Sequence, residues 1–157
     1  MSILDKYIKK LRDSGLRPTK QRIKICEILF ETDKTFHFTV NDLTKKIHSQ
    51  TDKKISVATV YNTVHAFEQK GYLKQIPINS SQAYFDTNTT DHHHFYDLKS
   101  EMLIDLDNKD IGPINIQKSI PGKKIKSVEV LVKLEDSQSY IKIILIYLTF
   151  FFRIIIN

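Results

Sequence analysis

The order of hydrophobic patterns in residues 1–86 restricts the fold more than any other feature of the sequence. Apolar residues recur at helical spacing in four successive segments. These segments begin at Ile3 and after Thr19, Thr39 and Ser56. Two extended stretches follow, residues 72–78 and 83–86, on either side of a polar turn at 79–82. Four helices followed by a hairpin predict an N-terminal winged-helix domain over residues 1–86. The alternative is a helical domain whose hairpin covers one face.

Residues with known capping roles stand at the predicted ends of these helices. Gly15 and Gly71 follow the first and fourth segments, where glycine can adopt the left-handed conformation that closes a helix. Thr39 with Asp42 resembles a capping pair for the third helix, and Ser56 is a predicted N-cap for the fourth. The fourth helix is expected to bury one face and expose the other. The predicted buried stripe is Val57, Val60, Tyr61, Val64 and Phe67, and the predicted polar face is Thr59, Asn62, Thr63 and His65.

Positive charge is concentrated in the same part of the chain. Residues 1–76 hold 15 Lys and Arg against 8 Asp and Glu, whereas the remainder holds 9 against 10. A basic block of folded size is typical of a protein that binds a polyphosphate, because each cation near a phosphate releases counterions. Since the last helix of a helix-turn-helix enters the major groove, the sequence predicts a DNA-binding domain. A solvated basic surface without such a role gives the same count.

Short strand patterns replace the helical ones beyond the predicted hairpin. Residues 95–98 and 102–106 are predicted strands, and residues 125–134 alternate strictly between apolar and other side chains. The predicted fold class is therefore α+β, with the winged-helix DNA-binding domain followed by a small α/β dimerisation and sensing domain at 87–135. Because a small sheet exposes its edges, a second copy of the chain is the predicted partner, which gives a homodimer.

Cysteine content and the two ends of the chain bear on its location. Cys26 is the only cysteine, so neither an internal disulfide nor a CxxC zinc knuckle can form within one chain. With a charged N-terminal segment, this predicts a cytoplasmic protein. Residues 136–157 form an atypical hydrophobic tail whose apolar core, 143–152, is short for a membrane span, so a membrane partner is not expected. The alternatives for the tail are an additional strand or helix packed on the dimer and an extension without a role.

Three adjacent histidines, His92, His93 and His94, carry the most specific chemistry in the sequence. Imidazoles are ligands for Fe, Zn or Mn, and they are axial ligands for haem iron. Because side chains alternate along an extended segment, His92 and His94 are expected to share one site while His93 points elsewhere. His37, from an irregular loop before the third helix, and Asp86 are candidates to complete a metal site. A solvated histidine run without a preferred ion is the alternative.

Three groups of residues, taken in order, resemble a known family. They are SGLRPTKQR at 14–22, VATVYNTV at 57–64, and YFDTN at 84–88 with DHHH at 91–94. Over about residues 3–135 the chain resembles the ferric uptake regulator family. Within it, the chain is most similar to the iron response regulators of alphaproteobacteria.

This resemblance implies a dimeric regulator of iron-use and haem-synthesis genes that binds palindromic double-stranded DNA and senses haem. It implies base contacts by the fourth helix and phosphate contacts by basic residues. The implied DNA-binding set is Arg17, Lys20, Arg22, Thr59, Tyr61 and Asn62. The implied haem ligands are His92, His93 and His94, and the positions of the family's Fe²⁺ or Mn²⁺ site are His37, Asp86 and His93. A four-cysteine structural zinc site is not expected.

The predicted function is therefore a haem- or iron-responsive transcription regulator that is not an enzyme. A direct Fe²⁺ or Mn²⁺ sensor of the same family is the first alternative. A metal-dependent hydrolase is a second, although no candidate base, nucleophile or glycine-rich phosphate loop accompanies the histidines. A haem carrier without a DNA function is a third, and it leaves the basic first half unexplained.

Overall fold

A computed structural model of the chain describes residues 1–51, 54–79 and 83–137. The chain divides into two compact units, one of Met1–Thr90 and one that begins at Asp91. Among the described residues, the first unit contains four α-helices and a three-stranded sheet, and the second contains a separate three-stranded sheet. The predicted α+β class with an N-terminal winged helix is confirmed.

Of the four helices, the third and fourth begin directly after their predicted caps, and the first and fourth end two residues before their predicted closing glycines. The helices are α1 (Ile3–Asp13), α2 (Lys20–Phe30), α3 (Val40–Gln50) and α4 (Val57–Gln69). Thr39 and Asp42 form a reciprocal capping box at the start of α3, in which the Asp42 amide donates to Thr39 Oγ1 at 3.1 Å. Gly15 and Gly71 have φ values of +72° and +73° after α1 and α4, as the sequence predicts.

A short strand that the sequence analysis did not predict precedes α3. This strand, β1 (His37–Thr39), pairs antiparallel with β3 (Ala83–Asp86), which in turn pairs with β2 (Lys74–Pro77). The sequence analysis assigned His37 to an irregular segment, and that assignment was wrong. Three residues are too few to show alternation, and α3 begins at the residue after them. The two predicted hairpin strands, β2 and β3, are confirmed. Residues 80–82 of the predicted turn lie outside the described residues.

The predicted faces of α4 need two corrections. Val57 and Tyr61 were expected in the buried stripe, but they are 50% and 51% exposed. Thr63 was expected on the polar face, but it is fully buried, and its Oγ1 donates to the Thr59 carbonyl at 2.7 Å. A threonine can enter the core in this way because its hydroxyl bonds to its own helix and leaves the methyl group to pack. The buried stripe is Val60, Thr63, Val64 and Phe67.

One apolar core joins the helices of the first unit to its sheet. Phe67 of α4 lies at its centre, edge-on to the rings of Phe30 and Tyr72 at centroid distances of 5.5 Å and 6.1 Å. Helices α1, α2 and α3 each contribute fully or almost fully buried side chains, and β3 contributes Phe85. These helix residues are Leu11, Ile25, Cys26, Leu29, Leu43 and Ile47. The core therefore fixes α4 against both the other helices and the strands.

The sheet of the second unit has the strand order β5-β4-β6. Its strands are β4 (His93–Asp97), β5 (Met102–Leu106) and β6 (Leu131–Leu134), and a short 3₁₀ helix spans Asn108–Asp110. The strand predicted at 102–106 is confirmed. The strand predicted at 95–98 is present, but it begins two residues earlier, at His93, and ends at Asp97. The long strand predicted at 125–134 is wrong in its first six residues. β4 is five residues long, and four of its residues pair in parallel with Leu131–Leu134.

The hydrophobic tail predicted for 136–157 lies outside the described residues from 138 onward. In the described part of the chain, no helix combines the length and the apolar character that crossing a membrane requires.

Cys26 provides a direct probe of this core. Its side chain is fully buried, and burial raises the pKa of the thiol to about 12. Because the thiolate is the reactive form, we expect the folded protein to resist iodoacetamide at mildly alkaline pH and to take up one label in denaturant. Mass spectrometry of the intact chain measures both. Labelling of the folded protein at the rate of a free cysteine would contradict this packing.

Candidate metal ligands and nucleic-acid interface

His37 and Asp86 form the first pair of candidate ligands, and both belong to the first unit. The antiparallel register of β1 and β3 places them directly opposite each other. His37 Nε2 lies 3.3 Å from Asp86 Oδ2, and the Asp86 side chain is fully buried. The other carboxylate oxygen, Oδ1, accepts the Asn88 amide at 2.7 Å, which fixes the orientation of the carboxyl group. The pair therefore presents one nitrogen and one oxygen donor held by a strand pair.

A second group of candidate ligands lies within the second unit. His92 and His94 have ring centroids 4.4 Å apart, and Asp105 faces His94 across the β4–β5 ladder. His92 Nε2 and His94 Nε2 lie 3.4 Å and 3.9 Å from Asp105 Oδ1. Both imidazoles are at least nine-tenths buried, whereas Asp105 is partly exposed. One ligand atom from each residue lies within 4.8 Å of the others, which fits a metal ion with two nitrogen donors and one oxygen donor.

His93 has a different environment from its two neighbours. Its Nδ1 accepts a hydrogen bond from the Val130 amide at 3.1 Å. This confirms the expectation that His92 and His94 share one side of the strand while His93 points elsewhere. The bond occupies Nδ1, so Nε2 is the ring nitrogen that His93 retains for a ligand. The roles predicted for His93, in the haem set and in the metal set, remain predictions.

Asp105 is the candidate ligand that the sequence analysis missed. It is the only charged residue in β5, whose other members are Met, Leu, Ile and Leu. A carboxylate in an apolar strand loses hydration on folding unless a charged or polar partner compensates for the loss. That pattern could have marked Asp105, but its partner could be found only once the pairing of β4 with β5 was known.

The exposed surface of α4 carries the predicted base-reading residues. Tyr61 is half exposed, Asn62 is exposed, and Thr59 is partly buried. Ser56 caps the helix, since its Oγ accepts the Thr59 amide at 3.2 Å and lies 2.9 Å from Thr59 Oγ1. The first turn is therefore held in place, and Tyr61 stands one turn beyond the cap. This arrangement leaves the side chains of Tyr61 and Asn62 free of the core and able to enter a groove of DNA.

A shallow hollow borders Tyr61 and extends to the start of α3. Its lining residues come from both helices and from the sheet, and they are Thr39, Val40, Asn41, Val57, Tyr61, His65, Ala83 and Phe85. The Tyr61 ring packs on that of His65 at 4.2 Å, one helical turn along α4. Val57 and Tyr61, which the sequence analysis expected to be buried, therefore lie together on an exposed surface.

The three predicted phosphate-contacting residues lie at the start of α2. Arg17 and Lys20 are exposed, and Arg22 is partly buried. Arg22 Nη1 donates to the Arg17 carbonyl at 3.0 Å, so Arg22 holds the segment that precedes α2. Arg17 and Lys20 have the exposure that a phosphate contact requires, and the DNA-binding roles of all three remain predictions.

The comparisons with known proteins agree on one family. The family model for "Ferric uptake regulator family" matches residues 13–135. The ferric uptake regulation protein of Neisseria meningitidis is 33% identical over 105 residues, which cover 66% of this chain and 72% of that protein. The peroxide operon regulator of Bacillus subtilis is 33% identical over 91 residues, 58% of this chain and 61% of that one.

A solved structure shares the same fold. The structure of a ferric uptake regulator from Pseudomonas aeruginosa with manganese matches with a TM-score of 0.60 at 17% identity, and the match covers 83% of this chain and 98% of that chain. The family model spans well over half of the sequence, from the last residue of α1 to the residue after β6. The chain therefore belongs to the ferric uptake regulator family.

Proposed function

We propose that the protein is a metal-responsive transcription regulator that binds palindromic double-stranded DNA as a homodimer. The observation that carries this proposal is the buried pair of imidazoles at His92 and His94 beside the Asp105 carboxylate, in a chain whose other unit is a winged helix. The relatives reported above are named as regulators. Family membership therefore favours regulation over the two other classes, a metal-dependent hydrolase and a haem carrier.

The DNA-binding part of the proposal is supported by charge and by the surface of α4. The excess of basic residues lies in residues 1–76, within the first unit. Tyr61 and Asn62 are exposed on the helix that precedes the hairpin strands β2 and β3, which is the helix that enters a major groove in this architecture. Phosphate contacts by Arg17 and Lys20 would supply affinity, and α4 would supply the preference for a base sequence.

The homodimer is supported by an apolar face on the sheet of the second unit. Ile104 of β5 is paired with Phe95, which is paired with Val132. Two residues further along the same face, Met102 and Leu134 lie on either side of Asp97. Met102, Ile104 and Leu134 are exposed. A second copy of the chain would cover this face, and two α4 helices would then read the two halves of a palindrome.

A divalent cation fits the donors that the structure brings together. Imidazole nitrogens with carboxylate oxygens are ligands for Fe²⁺, Mn²⁺ and Zn²⁺. His92, His94 and Asp105 would hold such an ion in the second unit, and His37 and Asp86 offer a nitrogen and an oxygen in the first. In the second unit, the bound ion would hold β4 and β5 together, because its positive charge attracts donors from both strands. The Pseudomonas aeruginosa relative, solved with manganese, makes Mn²⁺ the first ion to test.

Haem sensing, the function expected of an iron response regulator, is the rival proposal. The three imidazoles do not converge, because His93 accepts the Val130 amide while His92 and His94 face Asp105. A carboxylate beside two imidazoles favours a hard or borderline cation over haem iron. Membership of the iron response regulator branch therefore remains a prediction.

The test of the proposed function starts from DNA selected by the protein itself. Purified full-length protein is incubated with a library of random duplexes and Mn²⁺, and the enriched sequence is used in fluorescence anisotropy at fixed salt. We expect a palindrome whose affinity changes when Mn²⁺ is removed by chelation. A change with haem and none with Mn²⁺, Fe²⁺ or Zn²⁺ would replace the metal proposal by the haem one. Failure to enrich any sequence would contradict the regulator itself.

The exposed Tyr61 gives a prediction for sequence-specific binding. We expect Tyr61→Ala to weaken binding to the selected duplex by roughly tenfold to a hundredfold, because a base-contacting side chain is lost. The salt dependence should stay as in the wild type, since no phosphate contact is removed. Anisotropy over a series of salt concentrations measures both. Lys20→Ala is the matched variant. It should weaken binding to all duplexes alike and reduce the slope of log affinity against log salt concentration by about one. A Tyr61→Ala variant with wild-type affinity would contradict the role of α4.

Asp105 gives a prediction for metal binding. We expect Asp105→Asn to weaken Mn²⁺ binding by at least roughly tenfold, because the anionic donor beside the two imidazoles is lost at nearly constant volume. Isothermal titration calorimetry measures the affinity. Asp107→Asn is the matched control, since Asp107 lies two residues further along, is exposed and pairs with Lys109 at 2.8 Å. Equal Mn²⁺ affinity in the two variants would show that Asp105 is not a ligand.

A further inference from the structure

A continuous series of aromatic rings runs from α4 to β1 inside the first unit. Tyr61 packs on His65 with ring centroids 4.2 Å apart. His65 meets the ring of Phe85 edge-on at 5.4 Å and 90°, and Phe85 stacks on Phe38 at 5.8 Å. Neither Phe38 nor Phe85 has more than 4% of its surface exposed. The series therefore joins a half-exposed tyrosine to two rings that the core holds in place.

The inner end of this series lies beside the His37–Asp86 pair. Phe38 and Phe85 are opposite each other in the β1–β3 register, and His37 and Asp86 are the next opposite pair. Each phenylalanine is thus joined by one peptide bond to a candidate metal ligand. A change in the separation of His37 and Asp86 that shifts their backbone also shifts the two rings attached to the neighbouring residues. Because protein interiors are close-packed, those rings cannot shift without displacing their neighbours.

We propose that His65 is a positioning residue for Tyr61, and that it connects the conformation of Tyr61 to the state of the His37–Asp86 pair. This inference rests on the proposed function, in which Tyr61 contacts bases. Tyr61 is half exposed, so the core alone does not fix its side chain. The ring of His65 packs against one side of it, and Phe85 packs edge-on against His65.

The spacing and chemistry of His65 suit this role. Residues four positions apart on a helix lie on the same face, so the side chain at 65 meets that at 61 directly. An aromatic ring with a tilted or edge-on neighbour gains a directional attraction that an aliphatic side chain lacks. The contact with Phe85 has that edge-on geometry. Phe at position 65 should therefore preserve the positioning, whereas Leu should lose it.

The first test uses the protein without DNA. Tyrosine rings are labelled with ¹³C, and the Tyr61 signals are identified by their loss in Tyr61→Phe. We expect His65→Leu to shift the Tyr61 signals and His65→Phe to keep them close to the wild type. Tyr72 is an internal control, because its ring packs on Phe67 and should not respond. Thermal melting of each variant verifies that it is folded.

The same spectra test the connection to the His37–Asp86 pair. Zn²⁺ is the probe, because it is diamagnetic and suits nitrogen and oxygen ligands. We expect Zn²⁺ to shift the Tyr61 signals in the wild type and in His65→Phe, and to leave them unchanged in His65→Leu and His37→Ala. Calorimetry should show that His65→Leu still binds Zn²⁺ as the wild type does. Tyr61 signals that respond equally in His65→Leu and the wild type would overturn the connection.

The second test measures binding to the selected duplex. We expect His65→Leu to weaken it by roughly tenfold without altering the salt dependence, and His65→Phe to restore it. In the double variant with Tyr61→Ala, His65→Leu should cause no further loss of affinity, since the effects of substituting two residues that act as a unit are not additive. Additive losses, or no loss in His65→Leu, would overturn the positioning role. If the wild type bound no duplex, the proposed function would fail, and the Tyr61 signals would still decide the role of His65.

Discussion

The antiparallel pairing of β1 with β3 is the interaction on which the first unit depends. It brings His37, which lies before α3, against Asp86 at the end of β3, although 49 positions separate them in the sequence. The same register sets Phe38 on Phe85 and so adds the sheet to the helical core. Thr39 ends β1 and caps α3. A strand of three residues thereby fixes the sheet, the start of a helix and a pair of candidate ligands.

Local signals in the sequence were sufficient to predict the helices and the hairpin strands. Hydroxyl caps, closing glycines and apolar spacing act within a few residues, so α1 to α4 could be located without tertiary information. Residues that depend on distant partners could not be located in this way. β1 is defined by pairing with β3, and Asp105 becomes a candidate ligand only because β5 lies beside β4. The strand predicted at 125–134 failed for the same reason, since only the residues opposite β4 are paired.

The division of α4 into buried and exposed residues shows how packing overrides side-chain polarity. Thr63 is buried because its hydroxyl bonds to the Thr59 carbonyl, and Tyr61 is exposed although an aromatic ring favours the core. In the proposed function, the exposed Tyr61 lies on the surface that contacts DNA. The His triplet is divided in a comparable way, since strand alternation gives His93 a backbone partner and leaves His92 and His94 with Asp105.

In the proposed function, metal binding and DNA binding are coupled. Such coupling is reciprocal, so the factor by which Mn²⁺ changes the affinity for DNA is the factor by which DNA changes the affinity for Mn²⁺. The most direct measurement is therefore a Mn²⁺ binding isotherm, recorded by electron paramagnetic resonance, with and without a saturating amount of the selected duplex. If metal binding and DNA binding are coupled, the two isotherms are displaced by that same factor. Identical isotherms would show that Mn²⁺ is not the signal, even if the protein bound both partners.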